Sequence, residues 1–598
     1  MRSTRTRTRH RWIAAVASVA LVAAACGGDD DDVTGGAGTD APAEGEAATT
    51  EGQSFDDQAR EQQGGGGGDT TTPGSTDTAT GTSPETTAGD DASGETPVRG
   101  GNLVISGPSD IGSLDPLTSS SFNTQYRISE VYQRLLTFDT GPDIGYTEQV
   151  LKPELATEWE VSDDSLTYTF TLREGVVWQN VPPVNGRPFV AADVKATFEA
   201  IMAEGHQANL LSRVTSIETP DDLTVVLKLS APYAPLLSNM ASHFMWILPQ
   251  EAFQPGYDRV STVIGTGPFM LAEREIDVVT RFVRNPDYWD MGADGEPLPY
   301  LDSYDQVVIN DTQQVIAQFK AGEIDILTNG IPADLRDQLV ADTPDAQHNE
   351  WIDAGMGQLG VNAARPPFDD LRVRKAVSMA IDREGQGSTI WIGGTIPSNV
   401  SPALAEFALP EEERYELLPY DPEGAKALLA EAGYPDGLPA TLIATDGYGA
   451  RYVQATEFIV EDLNAAGFDV TLELLDYSTY FGSRWPDGEF DLQFGPQTPF
   501  LEPDEWLRTQ MQTDAARNWY NISDPQLDAM LDEQLTILDR DERAEKIKEI
   551  QRYALENVMN PIPTWTYLTQ WSYAPEFRNF YRHASYGFPG IERAWLDS

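Results

Sequence analysis

The chain has one cysteine, Cys26, in 598 residues, and that limits how everything after it can be held together. No internal disulfide is available beyond residue 26, so stability there has to come from packing. Residues 98–598 are too many for one hydrophobic core, which implies at least two lobes. Cys26 also marks a change of composition. Before it, Arg2, Arg5, Arg7, Arg9 and Arg11 precede an apolar run from Trp12 to Ala25. That run is too short to cross a bilayer as a stable helix and has the length of a secretory apolar segment. From Gly27 to about Pro97 the chain is mostly Gly, Thr, Asp, Glu and Ala, with five glycines in a row at Gly64 to Gly68. Such a stretch cannot bury enough apolar surface to offset its ordering entropy, so it is expected to be a disordered tether reaching roughly 40 to 50 Å.

Net charge is −55. The leader adds five arginines, and the tether seventeen acids against one arginine, which leaves −44 for residues 98–598. So acidic a body is a poor partner for nucleic acid. Its four histidines, His206, His243, His348 and His583, are far apart, and neither a His-Glu-x-x-His helix nor a Gly-x-Ser-x-Gly elbow occurs. Gly265 to Phe269 could pass for a phosphate loop but lacks the third glycine and a following Lys-Ser or Lys-Thr. No metal or cofactor is implied. A carboxylate pair formed only on folding is left open.

Local patterns predict a strand at Gly101 to Ser106 and a helix from Ser129 to Thr137, with Val131, Leu135 and Leu136 on one face. Leu155 to Val161, a Ser162 to Ser165 turn, and alternating Leu166, Tyr168, Phe170 and Leu172 predict a hairpin with one buried face. A second hairpin is expected where Val214 to Glu218 is followed by Val225, Leu227 and Leu229. Asp421 as N-cap, Pro422 in the first turn and Gly433 after the last predict a helix burying Ala425, Leu428, Leu429 and Ala432. Leu438 to Ala444, a helix from about Arg451 to Ala466, and Phe468 to Leu475 form a strand-helix-strand unit, the mark of a right-handed α/β lobe.

Two resemblances follow. Ala23-Ala24-Ala25-Cys26 resembles the lipobox of bacterial lipoproteins, with Ala23 where that family prefers leucine. It implies a signal peptide at 1–25 and a diacylglyceryl Cys26 on the outer membrane face, and two acyl chains hold firmly where one does not. Further on, Lys152-Pro153-Glu154-Leu155-Ala156, Trp159 to Asp164, Tyr168 to Val176 and Ala192-Asp193-Val194-Lys195 resemble the family 5 extracellular solute-binding proteins of ABC importers. The likeness continues through Gly265 to Phe269, Arg284 to Trp289, Ala321 to Ile326, Asn362, Pro367 to Ala376 and Tyr420 to Tyr434.

This resemblance implies an α/β, two-lobed, periplasmic-binding-protein-like fold (class II, cluster C) with an accessory subdomain and a cleft that closes by a hinge. Lobe I would be 98–268, lobe II 269–565, and 566–598 a return to lobe I, with 26–97 as the tether. The expected function is the capture of a peptide or other polar organic solute for a membrane permease, by a monomer, without catalysis. Two alternatives are an envelope interaction or regulatory lipoprotein that keeps the fold, and a cell-surface hydrolase. By analogy the cleft candidates are Tyr126, Asn362, Trp391, Phe494, Gln497 and Glu502. Peptide-binding relatives carry Trp-x-x-Asp-x-x-Glu/Asp-Pro, whose aspartate pairs with the peptide amine. Aligned on Glu502-Pro503, this chain has Pro496 for the tryptophan and Pro499 for the aspartate, and a slip of one or two residues would bring in Glu502 instead.

Overall fold

A ten-stranded sheet runs the length of the computed structural model, and its strand order locates the two halves of the molecule. In chain order the strands are β1 (Asn102–Gly107), β2 (Phe269–Glu275), β3 (Val279–Arg284), β4 (Ser303–Val308), β5 (Ile326–Leu327), β6 (Gln347–Val361), β7 (Leu438–Thr445), β8 (Phe468–Leu475), β9 (Leu492–Gln497) and β10 (Ile562–Tyr573). Across the sheet they lie β8-β7-β9-β6-β10-β5-β1-β4-β3-β2. The structure describes residues 80–82 and 96–597 apart from 108–109, 112, 120–121, 206, 498–499, 516 and 586. The leader, Cys26, most of the expected tether, His206 and Pro499 lie outside the described residues.

Only β6 and β10, of 15 and 12 residues, are long enough to serve both halves. They pair antiparallel from Gln347 opposite Tyr573 to Leu359 opposite Ile562, and the register slips between Ile352 and Met356 and again before Gln358. One side of the slip carries β5, β1 and β4, parallel to one another; the other carries β9, β7 and β8, also parallel to one another. Each set docks antiparallel to a crossing strand. The fold is therefore α/β and two-lobed, hinged where a slipped ladder loosens the pairing.

The expected lobe boundary at residue 268 is wrong. Residues 269–346 supply β2 to β5 and stay with β1 in lobe I, and the chain first crosses in β6. Gly265 and Gly267 do not mark a crossing: they allow close backbone approach within lobe I. A Cβ on Gly265 would meet the Val131 carbonyl oxygen at 1.7 Å, and Gly267 N donates to that oxygen at 2.9 Å.

The accessory subdomain is a five-stranded antiparallel sheet holding both expected hairpins, with Tyr168, Phe170 and Leu172 buried on one face. Thr80–Thr82, inside the stretch expected to be wholly unstructured, pairs with Glu158 to Glu160 at its edge. The helix expected at Ser129 to Thr137 is replaced by one at Phe122–Ile128. Past it the backbone turns outward to bond elsewhere, Leu135 O accepting from Ala156 N at 3.0 Å; Val131 is buried in the turn after the helix, and Leu135 and Leu136 are buried at the start of a short strand. The helix Pro422–Glu431 keeps its expected ends: Asp421 accepts from Gly424 N at 2.8 Å and Gly433 takes φ +104°. No helix among the described residues is long and apolar enough to cross a membrane.

Candidate functional site

Strand direction fixes where a site can form. β9 runs toward the slip and ends at Gln497 opposite Met356, and β7 and β8 end beside it at Thr445 and Leu475. From the other side β5 runs antiparallel to β10 and so also toward the slip, and β1 and β4 end with it at Gly107 and Val308. The carboxyl ends of both parallel sets thus converge on one cleft, the place where open α/β sheets bind ligands. At its floor Asp353 sits in the slipped segment. Its Oδ1 accepts from Gly355 N at 2.9 Å and its Oδ2 from Thr569 Oγ1 at 3.1 Å, while desolvation raises its carboxyl above the usual range.

The lobe I wall is aromatic with one cation. Tyr146 lies 5.1 Å from Trp351, and Trp351 5.7 Å from Trp571. The Arg582 guanidinium sits 4.5 Å over Trp571 and 5.8 Å from Tyr146. Tyr126 packs 4.7 Å from Phe588 and 6.4 Å from Trp571, and burial pushes its hydroxyl pKa up. On the lobe II wall Trp391 is buried 5.0 Å from Tyr452 and 5.2 Å from Tyr567, and the Tyr452 hydroxyl donates to that of Tyr567. Arg451, at the start of the helix Ala450–Ala465, stands 6.0 Å from the Trp391 ring. Beside it Tyr448 lies 5.5 Å from both Tyr452 and Tyr477. Arg517 stacks 5.3 Å over Trp519 in the neighbourhood of Tyr448 and Tyr477, and desolvation lowers its pKa. The walls touch: Gln149 Nε2 donates to Leu501 O at 2.6 Å, and Thr147 Oγ1 to Ala403 O.

Of the six residues named from sequence, Tyr126, Trp391 and Gln497 lie around this cleft. The other three are held elsewhere. Asn362 follows the far end of β6, donating to Gly488 O at 2.8 Å and accepting from Asn521 Nδ2 at 3.0 Å, so it staples loops. Phe494 lies in the core of β9, 6.0 Å from Tyr452 and almost wholly buried. Glu502 caps the helix Pro503–Met511 through Asp504 N at 3.1 Å and meets Arg543 through two bonds of 3.1 and 2.5 Å. Asp353, Tyr146, Trp351, Arg451, Arg517 and Arg582 escaped the sequence reading. Only Arg451 had a local signal, since Gly447-Tyr448-Gly449 links an expected strand to an expected helix, where a carboxyl-end loop carries function.

A separate cavity of about 110 Å³ lies in lobe I, lined by Glu130, Gln133, Arg134, Glu154, Tyr288 and Glu592 among others. Burial pushes Glu130 up to about 8 there. His243 and His583 are buried scaffold residues, pulled down to about 3 and about 4. Among the described residues no group of three His, Cys, Asp or Glu could hold a metal ion.

Two α/β lobes on a pair of crossing strands, with both sets of strand ends facing one cleft, define a two-lobed binding protein of the periplasmic type. The chain belongs to the bacterial extracellular solute-binding proteins, family 5, whose profile matches residues 150–518. It is 30% identical over 491 residues to di/tripeptide-binding protein 1 of Pseudomonas aeruginosa, covering 76% of this chain and 87% of that one. It is 28% identical over 466 residues to heme-binding protein A of Haemophilus influenzae, covering 72% and 80%. Among solved structures it superposes on the Helicobacter pylori ABC transporter-associated binding protein DppA, in complex with the peptide STSA, with a TM-score of 0.70. That match has 23% identity and covers 84% of this chain and 99% of the other. Relatives named for peptide and for heme share this scaffold, so fold alone does not name the solute.

Proposed function

We propose that the chain is the lipid-anchored capture component of an ABC importer, held to the outer membrane face through Cys26. It encloses a peptide or other polar organic solute between its lobes and passes it to a membrane permease. The observation that carries this is the convergence of both sets of strand carboxyl ends on a cleft crossed by the slipped pair β6 and β10. A slipped ladder can bend without breaking the sheets on either side, so the lobes can swing about Ile352 to Met356. Solute touching both walls favours the closed form by its differential affinity. Tyr126, Trp391 and Gln497 are the contacts offered from the sequence, and Arg582, Arg517 and Arg451 join them. The chain acts as a monomer and performs no chemistry on its cargo.

Two measurements test this. Fluorophores placed on residues 474 and 276, one near the cleft-facing end of each lobe's sheet, should approach each other when solute is added, and an unchanged distance at saturation would sink the hinge. Cys26→Ser should abolish radiolabelling by lipid precursor while leaving the body folded; label retained on the variant would remove the anchor.

A further inference from the structure

The charges around the cleft do not balance, and this imbalance names a class of solute. Several carboxylates near the strand ends are engaged: Asp353 accepts through both oxygens, and Glu502 is paired with Arg543. Asp110, at the end of β1, accepts from Ile111 N at 2.7 Å and Asp277 N at 2.9 Å and pairs with Arg274 at 3.3 Å. Asp476 accepts from the Thr479 amide at 2.9 Å and its hydroxyl at 2.7 Å. The cations are different. Among the described residues neither Arg582, on the lobe I wall, nor Arg517, on the lobe II wall, has a carboxylate within ion-pair distance. The Arg582 Nη1 is held by the carbonyls of His583 and Ser585, but its Nε is enclosed with no acceptor, and so is the Nε of Arg517. The Trp391 indole N–H, 1% exposed within the lobe II wall, and that of Trp351 on the lobe I wall also lack an acceptor, whereas the acceptors left unmet on the walls are Gln497 Oε1 and Gln149 Oε1.

An enclosed guanidinium or indole N–H without an acceptor is costly, and a bound group that supplies the acceptor removes the cost. Guanidinium nitrogens suit a carboxylate above other acceptors because they offer it parallel donors. Resting on the cleft-binding reading above, we propose that the solute is a small organic anion whose carboxylate groups meet Arg582 from one lobe and Arg517 from the other. A free ammonium group on the solute is not needed to meet either guanidinium. Such an anion would also explain closure, because it links cations on opposite walls that cannot otherwise approach a common partner.

The test uses the full-length chain and a charge-matched panel in calorimetric titration: trialanine, N-acetyl-trialanine, trialanine amide, glutarate and citrate. The expected result is binding of the anions, N-acetyl-trialanine holding at least as well as trialanine and the amide failing. Arg582→Gln should weaken the best anion at least tenfold. Asp353→Asn should tighten it several-fold, because it removes a negative charge that interacts with Arg582. A folding defect cannot mimic these opposite changes. Binding that survives amidation but is lost on N-acetylation would overturn the anion proposal while leaving capture in the cleft intact. No binding by any member of the panel would overturn the capture reading and the anion proposal together.

Discussion

Two of the places where this molecule encloses charge follow opposite rules. At the turn Glu502 to Glu505, three carboxylates go into the contact between lobe II and the accessory subdomain, each almost wholly buried. Each has something to meet: Glu502 has Arg543, Asp504 has Gln534 Nε2 at 2.5 Å and Arg508 at 3.9 Å, and Glu505 is stabilised by the Ser242 side chain. In the cleft, Arg582 and Arg517 are enclosed with no carboxylate within ion-pair distance among the described residues. This turn buries charge together with its partner, and the cleft leaves that place open. Removing a partner from the first region should therefore unfold the protein, whereas removing a cation from the second should empty it.

The largest effect belongs to Arg543→Ala. It strands Glu502 beside Asp504 and Glu505, and breaking a buried pair from one side costs about 3 to 5 kcal/mol. Equilibrium unfolding in urea should show the midpoint falling with little change in slope. A loss under about 1 kcal/mol, the size of an exposed pair, would mean the turn is wetter than its burial indicates.

The same turn should tune stability with pH. Desolvation first, then the charge of Glu502, pushes Glu505 up to about 8, and desolvation lifts Asp504 to about 6 despite the opposing pull of Arg508. Unfolded, both titrate near the ordinary carboxylate value, so the folded state binds more protons between those limits. Their contribution is whole in acid and declines as pH rises, by up to about 1.4 kcal/mol per unit for each group, ending near pH 6 for Asp504 and near pH 8 for Glu505. Glu505→Gln should flatten the stability profile between roughly pH 6 and 8. If the wild-type and variant curves stay parallel there, Glu505 is ionised in the folded protein.

How much of this could be read from the chain differs by region for a physical reason. Hairpins and capped helices are local, so Tyr168, Phe170 and Leu172 and the Asp421 to Gly433 helix were legible from spacing alone. The cleft depends on pairings between residues hundreds of positions apart. Nothing beside Asp353 marks it as a hinge residue until Trp351 is opposite Thr569. Nothing beside Arg582 shows that its ring neighbours are Tyr146 and Trp571. The lobe boundary was misplaced for the same cause: Gly265 and Gly267 announce a close approach, but only the contact with Val131 shows that it is internal to lobe I. Glu502 was a reasonable binding candidate until Arg543, 41 residues away, was found against it.

Arg582→Gln should have the mirror effect of Arg543→Ala. Its contacts are the faces of Trp571 and Tyr146 and the carbonyls of His583 and Ser585, none of them an ionised partner, and a cation–π contact near a surface is worth about 0.5 to 1 kcal/mol. The unfolding midpoint should therefore move little in the variant whose anion binding collapses. A stability loss as large as that of Arg543→Ala would erase the distinction between the two regions and make Arg582 part of the scaffold.

The smallest effect separates the surface from the cleft by rate. The body carries −44, so an approaching anion is repelled at range and attracted only once it reaches the arginines. Raising ionic strength from about 0.01 to 0.15 M shortens the screening length from about 30 to 8 Å. That weakens the repulsion while the enclosed pairs are screened much less. Stopped-flow tryptophan fluorescence with the best anionic probe should show association quickening a few-fold with salt and dissociation nearly constant. Arg582→Gln should keep the same salt slope of association, since the slope comes from the surface, and lose affinity through faster dissociation. Association that slows with salt would place net positive charge at the mouth, and attraction would then begin outside the cleft.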